Sequence, residues 1–128
     1  MSKRVITGWV LSVLITLFLV VVSGIPKFVE FEGKEKMFAD MGWDVETVKY
    51  IGVIEIALAI LLLIPRAAFM AAVLLTAYYG GATATHVRVY EPFFFPILFG
   101  VLTWVAVGLR DPRVFENAFK SPRRELVG

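Results

Sequence analysis

The sequence predicts an all-α fold: an integral membrane four-helix bundle, both termini cytoplasmic, with a short amphipathic outer segment between helices 1 and 2. Three observations predict it. Hydrophobic residues make up 59% of the chain and charged residues 19%, a more apolar balance than a soluble domain of this size carries. The apolar residues gather in four stretches almost free of charge, Val5 to Pro26, Tyr50 to Pro65, Ala67 to Thr85 and Pro92 to Leu109. Each is near the roughly 20 residues that a helix needs to cross a hydrocarbon core. Helices are the assignment because an open strand cannot satisfy its backbone in lipid. The third observation is the sorting of charge. An inward N-terminus collects Lys3, Arg4, Arg66, Arg110, Arg113, Lys120, Arg123 and Arg124 on one side, while acids outnumber bases in the two loops on the other. The positive-inside rule then makes both termini cytoplasmic.

The first span, about 5–25, opens after Lys3 and Arg4 and closes at Gly24-Ile25-Pro26. Its basic start and small residues at Ser23-Gly24 also fit a signal peptide, but the apolar run is long for one, and a retained span is expected. Trp9 marks the inner interface, and Trp43, Tyr50 and Tyr90 the outer one.

The long loop, Lys27 to Tyr50, carries Phe28, Phe31, Met37, Phe38, Met41 and Trp43 among charges. Glu30/Lys34 and Glu32/Lys36 stand at the i,i+4 spacing of a helix. A short amphipathic helix on the outer face is expected, weakened at Gly33 and ended near Gly42. It is either a surface connector or a lid over a pocket between the helices.

The second span, about 46–64, reaches full length only if Lys49 snorkels outward along its flexible stem. Ile64-Pro65-Arg66 then permits nothing but an antiparallel hairpin. In the third span, about 67–86, Ala68 and Ala72, then Ala77 and Gly81, repeat at the spacing that lets membrane helices approach closely. The fourth span, about 92–109, leads into a basic cytoplasmic tail, 110–128. Anionic lipid explains that tail better than nucleic acid, and no nucleic-acid partner is expected. The whole chain reads as a single transmembrane domain without repeats.

Inventory excludes much chemistry. With no cysteine there are no disulfides, thiolate nucleophiles or cysteine metal sites. One histidine rules out bis-histidine haem within the chain, and no Glu-x-x-His pairs support a di-iron bundle. No phosphate loop or nucleophile elbow is present, no metal site is expected, and no covalently held cofactor is called for.

Glu55 is the ionisable group deep inside a span. A carboxylate there is costly to insert, so it is either a functional group facing the bundle interior or a residue that fixes helix register. Folding about Pro65 brings it near the level of Leu75 or Thr76. Thr76, Tyr79, Thr83 and His86 follow one another on a helical face and form a polar stripe from that level outward. Such a stripe serves either as a proton path or head-group site, or as interhelical hydrogen-bond glue. His86 and Glu55 are the candidate proton acceptors, and Lys27 and Arg88 stand at the same outer mouth.

Gly24-Ile25-Pro26-Lys27, Gly52-Val53-Ile54-Glu55, Leu63-Ile64-Pro65-Arg66 and the run from Gly80 to Arg88 form a combined pattern. The Gly-x-x-Glu, Ile-Pro-Arg and Gly-Ala-x-x-Thr-His-x-Arg pieces resemble the DoxX-like family of small bacterial membrane proteins, up to about Leu109. The resemblance implies a four-helix bundle in the bacterial inner membrane and an association with quinone-linked sulfur oxidation or redox homeostasis. It carries Lys27, Glu55, His86 and Arg88 over as a candidate site. Without cysteine the chain cannot run thiol chemistry itself. The expected role is therefore a quinone- or lipid-associated accessory of a membrane redox system. Its ligand, a quinone or other prenyl lipid, would sit near Lys27, Glu55, Thr76, Tyr79, Thr83, His86 and Arg88. Membrane lipids, redox-complex proteins and further copies of the chain are the expected partners. Two other roles fit the same features, an assembly module for membrane proteins and, as an oligomer, a small-molecule or proton carrier.

Overall fold

The computed structural model describes residues 1–120, and every regular element among them is helical. Helix α1 (Lys3–Leu17) is started by Ser2, whose hydroxyl accepts from the Val5 N–H at 3.2 Å. It runs on without interruption as a π-helical segment, Phe18–Gly24, and a 3₁₀ turn, Ile25–Lys27. Pro26 supplies a physical reason for the change of pitch. It brings no N–H, and its ring would strike the carbonyl four residues back in a regular α-helix. Widening the ladder relieves that contact, and the Ile25 N–H reaches back to the Val20 carbonyl.

A short helix, α2 (Lys34–Asp40), follows. Gly33 (φ 80°) and Gly42 (φ 87°) bracket it in left-handed conformations that suit glycine. The loop helix thus starts after Gly33 instead of running through it, and only part of its expected charge pairing forms. Lys36 pairs with Asp40 at 2.9 Å, while Lys34 lies 3.9 Å from Glu30 and is itself buried.

Helix α3 (Val45–Leu62) is capped by Asp44, whose carboxylate accepts from the Thr47 N–H at 2.6 Å. A tight turn at 63–67 reverses the chain into α4 (Ala68–Arg88), and α5 (Phe94–Arg110) completes the long helices. Within the expected basic tail a further helix, α6 (Arg113–Phe119), turns back at 118° to α5. The last part of that tail, with Arg123, Arg124 and Glu125, lies outside the described residues.

Two helices among the described residues are long and apolar enough to cross a membrane, Lys3–Lys27 and Ala68–Arg88, and the bent pair α5 and α6 makes a third if taken as one span. The sequence counts four spans. Helix α3, at 18 residues, is set apart by charge and not by length, since Glu46, Lys49 and Glu55 all lie within it.

Leu58 and Leu62 of α3, Ala71, Ala72 and Leu75 of α4, Ala106 and Val107 of α5, and Ile15 and Leu19 from the first helix form one core. It lies toward the end that holds the N-terminus and the α3–α4 turn. The expected close packing of α4 holds for Ala68 and Ala72, both buried. It does not extend to Gly81, beside which a methyl group would meet nothing within 4 Å. Arg110 ties this end together. It donates to the Leu62 carbonyl at 2.7 Å and the Ser12 hydroxyl at 3.1 Å, and its guanidinium lies 3.7 Å from the Trp9 ring centroid. An orphan carbonyl at the end of α3 is thereby satisfied.

Candidate functional site

The opposite end of the fold holds a cavity of about 600 Å³, within the size range of small-molecule sites. Phe18, Leu19 and Val22 of the first helix, Val48 and Ile51 of α3, and Phe95 and Phe99 of α5 give it apolar walls. Met37, Phe38, Met41 and Trp43 cover it from the α2 segment, so of the two expectations for the long loop the geometry matches the lid.

Its polar floor is made by Lys27 and Glu55. Lys27 Nζ donates to Glu55 Oε2 at 2.7 Å, to the Ser23 carbonyl at 2.8 Å and to Ser23 Oγ at 3.0 Å. The π segment and the 3₁₀ turn aim Ser23 and Lys27 together at α3. Gly52, one turn before Glu55, provides the clearance. A Cβ there would lie 2.8 Å from the Phe28 ring and 3.1 Å from Lys27 Cβ, so a side chain would push the lysine stem away. The Gly-x-x-Glu spacing thus has a steric meaning: the glycine admits the lysine, and the glutamate receives its ammonium.

Glu55 is fully buried, and its second oxygen, Oε1, has no hydrogen-bond partner among the described residues. A buried acceptor without a partner is costly and uncommon. The Tyr78 hydroxyl stands close enough to act on the Glu55 and Ser23 side chains, but it closes no hydrogen bond on Glu55 Oε1. It borders the cavity.

The polar stripe on α4 divides. Thr76 donates to the Ala72 carbonyl and accepts from Trp104 Nε1 at 2.7 Å, outside the cavity. Tyr79 lines the cavity but commits its hydroxyl to Thr103 of α5 at 3.1 Å. Thr83 bonds back to the Tyr79 carbonyl at 2.8 Å. No member of the stripe hydrogen-bonds to Glu55. The reason is rotational: the face carrying Thr76 and Tyr79 packs on α5, and Tyr78, one position along, is turned to α3.

His86 does border the cavity. Its Nδ1 lies 2.6 Å from the Ala82 carbonyl. A carbonyl only accepts, so Nδ1 carries the proton and a neutral ring keeps its lone pair on Nε2. Arg88, the last residue of α4, points away from the floor. It donates to the Met41 carbonyl at 2.9 Å and lies over Gly42, where a Cβ would be 2.6 Å from Nη2. It fastens the lid.

Of the residues singled out from sequence, the structure brings Lys27, Glu55, Tyr79 and His86 to one cavity and leaves Thr76, Thr83 and Arg88 outside it. Sequence reasoning missed Ser23, Tyr78 and Lys34. Ser23 stands one turn before Lys27 and was legible in principle. Lys34, which donates to the Lys27 and Val29 carbonyls at 3.1 and 2.9 Å, was legible only as the i,i+4 partner of Glu30.

Among the described residues no group of acidic or histidine side chains is arranged to hold a metal ion. Neither curated proteins nor solved structures give a match to the chain. A family model does, over residues 10–106, and it bears the description DoxX-like family. That stretch contains the lysine, the glutamate, the histidine and the lid, and the chain belongs to the DoxX-like family.

Proposed function

We propose that this protein is a membrane-embedded binder of an amphipathic ligand, a quinone or another prenyl lipid, acting as an accessory of a bacterial inner-membrane redox system. The observation that carries the reading is the Lys27–Glu55 ion pair on the floor of a cavity whose walls are apolar and aromatic. A buried charged pair costs desolvation and is weak as a stability device, so its placement beside a cavity favours a role toward a bound molecule. A long apolar tail fits the walls, and a polar head group fits the floor. Glu55 accepts a hydrogen bond or a proton from a head group that carries a hydroxyl, as the reduced form of a quinone does, and His86, at the lid end, presents Nε2 as a second acceptor.

In this reading α1 with its continuation, α3, α4 and α5 all cross the membrane. The charges of α3 are accommodated by Lys27 on Glu55 and by Glu46 and Lys49 at the helix's outer end, where they pair with each other at 3.2 Å. Basic residues at the end shared by the termini and the α3–α4 turn support a cytoplasmic placement for it. The outward faces, with Val10, Leu14, Ile54, Phe69, Met70 and Val101 exposed, suit lipid or further copies of the chain.

Mass spectrometry of organic extracts from the purified protein tests the reading, with wild type beside Glu55→Gln and His86→Ala. A defined quinone or lipid carried by wild type and lost from both variants is the expected result. Wild-type protein that carries nothing beyond bulk lipid would remove the support for a ligand site and shift attention to protein partners.

A further inference from the structure

The ion pair on the floor of the cavity has an unmet acceptor and no unmet donor. An ammonium offers three protons, and Lys27 gives them to Glu55 Oε2, the Ser23 carbonyl and Ser23 Oγ. Nothing remains on it for an anionic head group. Its charge is also balanced by Glu55 at 2.7 Å, which leaves the floor neutral, so any charged head group would enter uncompensated. Glu55 Oε1, by contrast, is buried beside the cavity with no hydrogen-bond partner among the described residues. What complements this arrangement is a neutral molecule that brings a hydrogen on oxygen.

We infer that the site selects neutral amphiphiles with a free hydroxyl at the head, such as a quinol, a phenol or a long-chain alcohol, over fatty acids, anionic phospholipids and fully oxidised quinones. The inference rests on the reading of the cavity as a ligand site and adds the polarity of the ligand to it. Glu55 Oε1 accepts the hydroxyl proton in a charge-assisted hydrogen bond, the stronger kind. An oxidised quinone has carbonyl acceptors alone and would set oxygen against oxygen at this position. The neighbouring Tyr78 hydroxyl competes for the same acceptor.

The test uses full-length protein in nanodiscs and three probes of one chain length: 4-decylphenol, its methyl ether and decanoate. Binding is measured by titration calorimetry and corrected for partition into protein-free discs. The phenol should bind roughly tenfold or more tightly than the ether, the discrimination that one hydrogen bond to a charged acceptor provides, and decanoate should bind weakest. In the double variant Lys27→Met/Glu55→Leu, which removes the buried pair together, the phenol and the ether should bind alike. Tyr78→Phe should keep the preference for the phenol. Equal binding of phenol and ether to wild type overturns the inference and leaves the cavity reading standing. Preference for decanoate overturns it as well. Discrimination that survives the double variant, or that vanishes in Tyr78→Phe, takes the recognition away from Glu55. Failure of all three probes to bind overturns the cavity reading too.

Discussion

Lys27 and Glu55 stand 28 residues apart in the chain and 2.7 Å apart in space, and their contact joins the end of the first helix to the middle of α3. Removing one partner strands the other charge in a buried setting, which typically costs about 3–5 kcal/mol. Lys27→Met alone should therefore lower thermal stability in detergent sharply. Lys27→Met with Glu55→Leu should restore most of it, because an apolar pair of similar volume is often neutral or better. A single variant as stable as wild type would show that the pair does not support the fold.

The glycines divide by what surrounds them. A Cβ at Gly8 would lie 2.8 Å from the Ala106 carbonyl, a backbone atom that cannot step aside, so Gly8→Ala should destabilise by about 1–3 kcal/mol through overpacking. Gly80, with nothing within 4 Å, sits inside α4, and Gly80→Ala should stabilise by about 1 kcal/mol, the ordinary helix-propensity gain. Paired melting curves decide both, and a loss at Gly80 would mean that its open face is covered by another molecule.

Arg88 holds the lid through the Met41 carbonyl at an exposed position. Arg88→Ala should favour lid opening by about 1 kcal/mol, roughly fivefold. Hydrogen exchange of the α2 amides reports it. Faster exchange confined to α2 and its flanks is expected, and unchanged exchange would leave Arg88 without a role in closure.

Two carboxylates outside the long helices give the pH dependence. The Asp44 carboxyl lies below its usual range because the Thr47 backbone N–H bonds to it, and Asp111 lies below its range chiefly because the Arg113 side chain does. A carboxyl whose folded value is depressed contributes stability above the ordinary carboxylate range, and that contribution is lost as pH falls through the folded value. Melting temperature should thus decline on acidification below about pH 4. The decline should be shallower in Asp44→Asn, whose side chain still caps α3 through its amide oxygen without the ionisation. An identical acid limb in wild type and variant would assign the pH dependence to other groups.

Much of the fold could be read from the chain. The helical class, the turn at Pro65, the break at Gly33 and the end at Gly42 follow from local chemistry, since lipid demands helices and glycine and proline punctuate them. Glu55 stood out because a charge inside an apolar run needs a reason. The partner of that charge did not stand out. Counting offsets along α4 put Thr76, Tyr79, Thr83 and His86 on one face, yet periodicity gives the face and not its neighbour. The face with Thr76 and Tyr79 meets Trp104 and Thr103 of α5.

By itself, then, the sequence determined the helical content, the apolar segments, the family pattern and the cost of placing an acid among them, all properties of short stretches in their solvent. Only the tertiary structure decided that Lys27 answers Glu55, that Gly52 makes room for it, and that α2 closes over the cavity with Arg88 as its clasp. Those depend on how the π-helical end of the first helix rotates its last residues and how α4 is shared between α3 and α5. Such choices rest on side-chain packing between segments distant in the chain, and no local pattern encodes them.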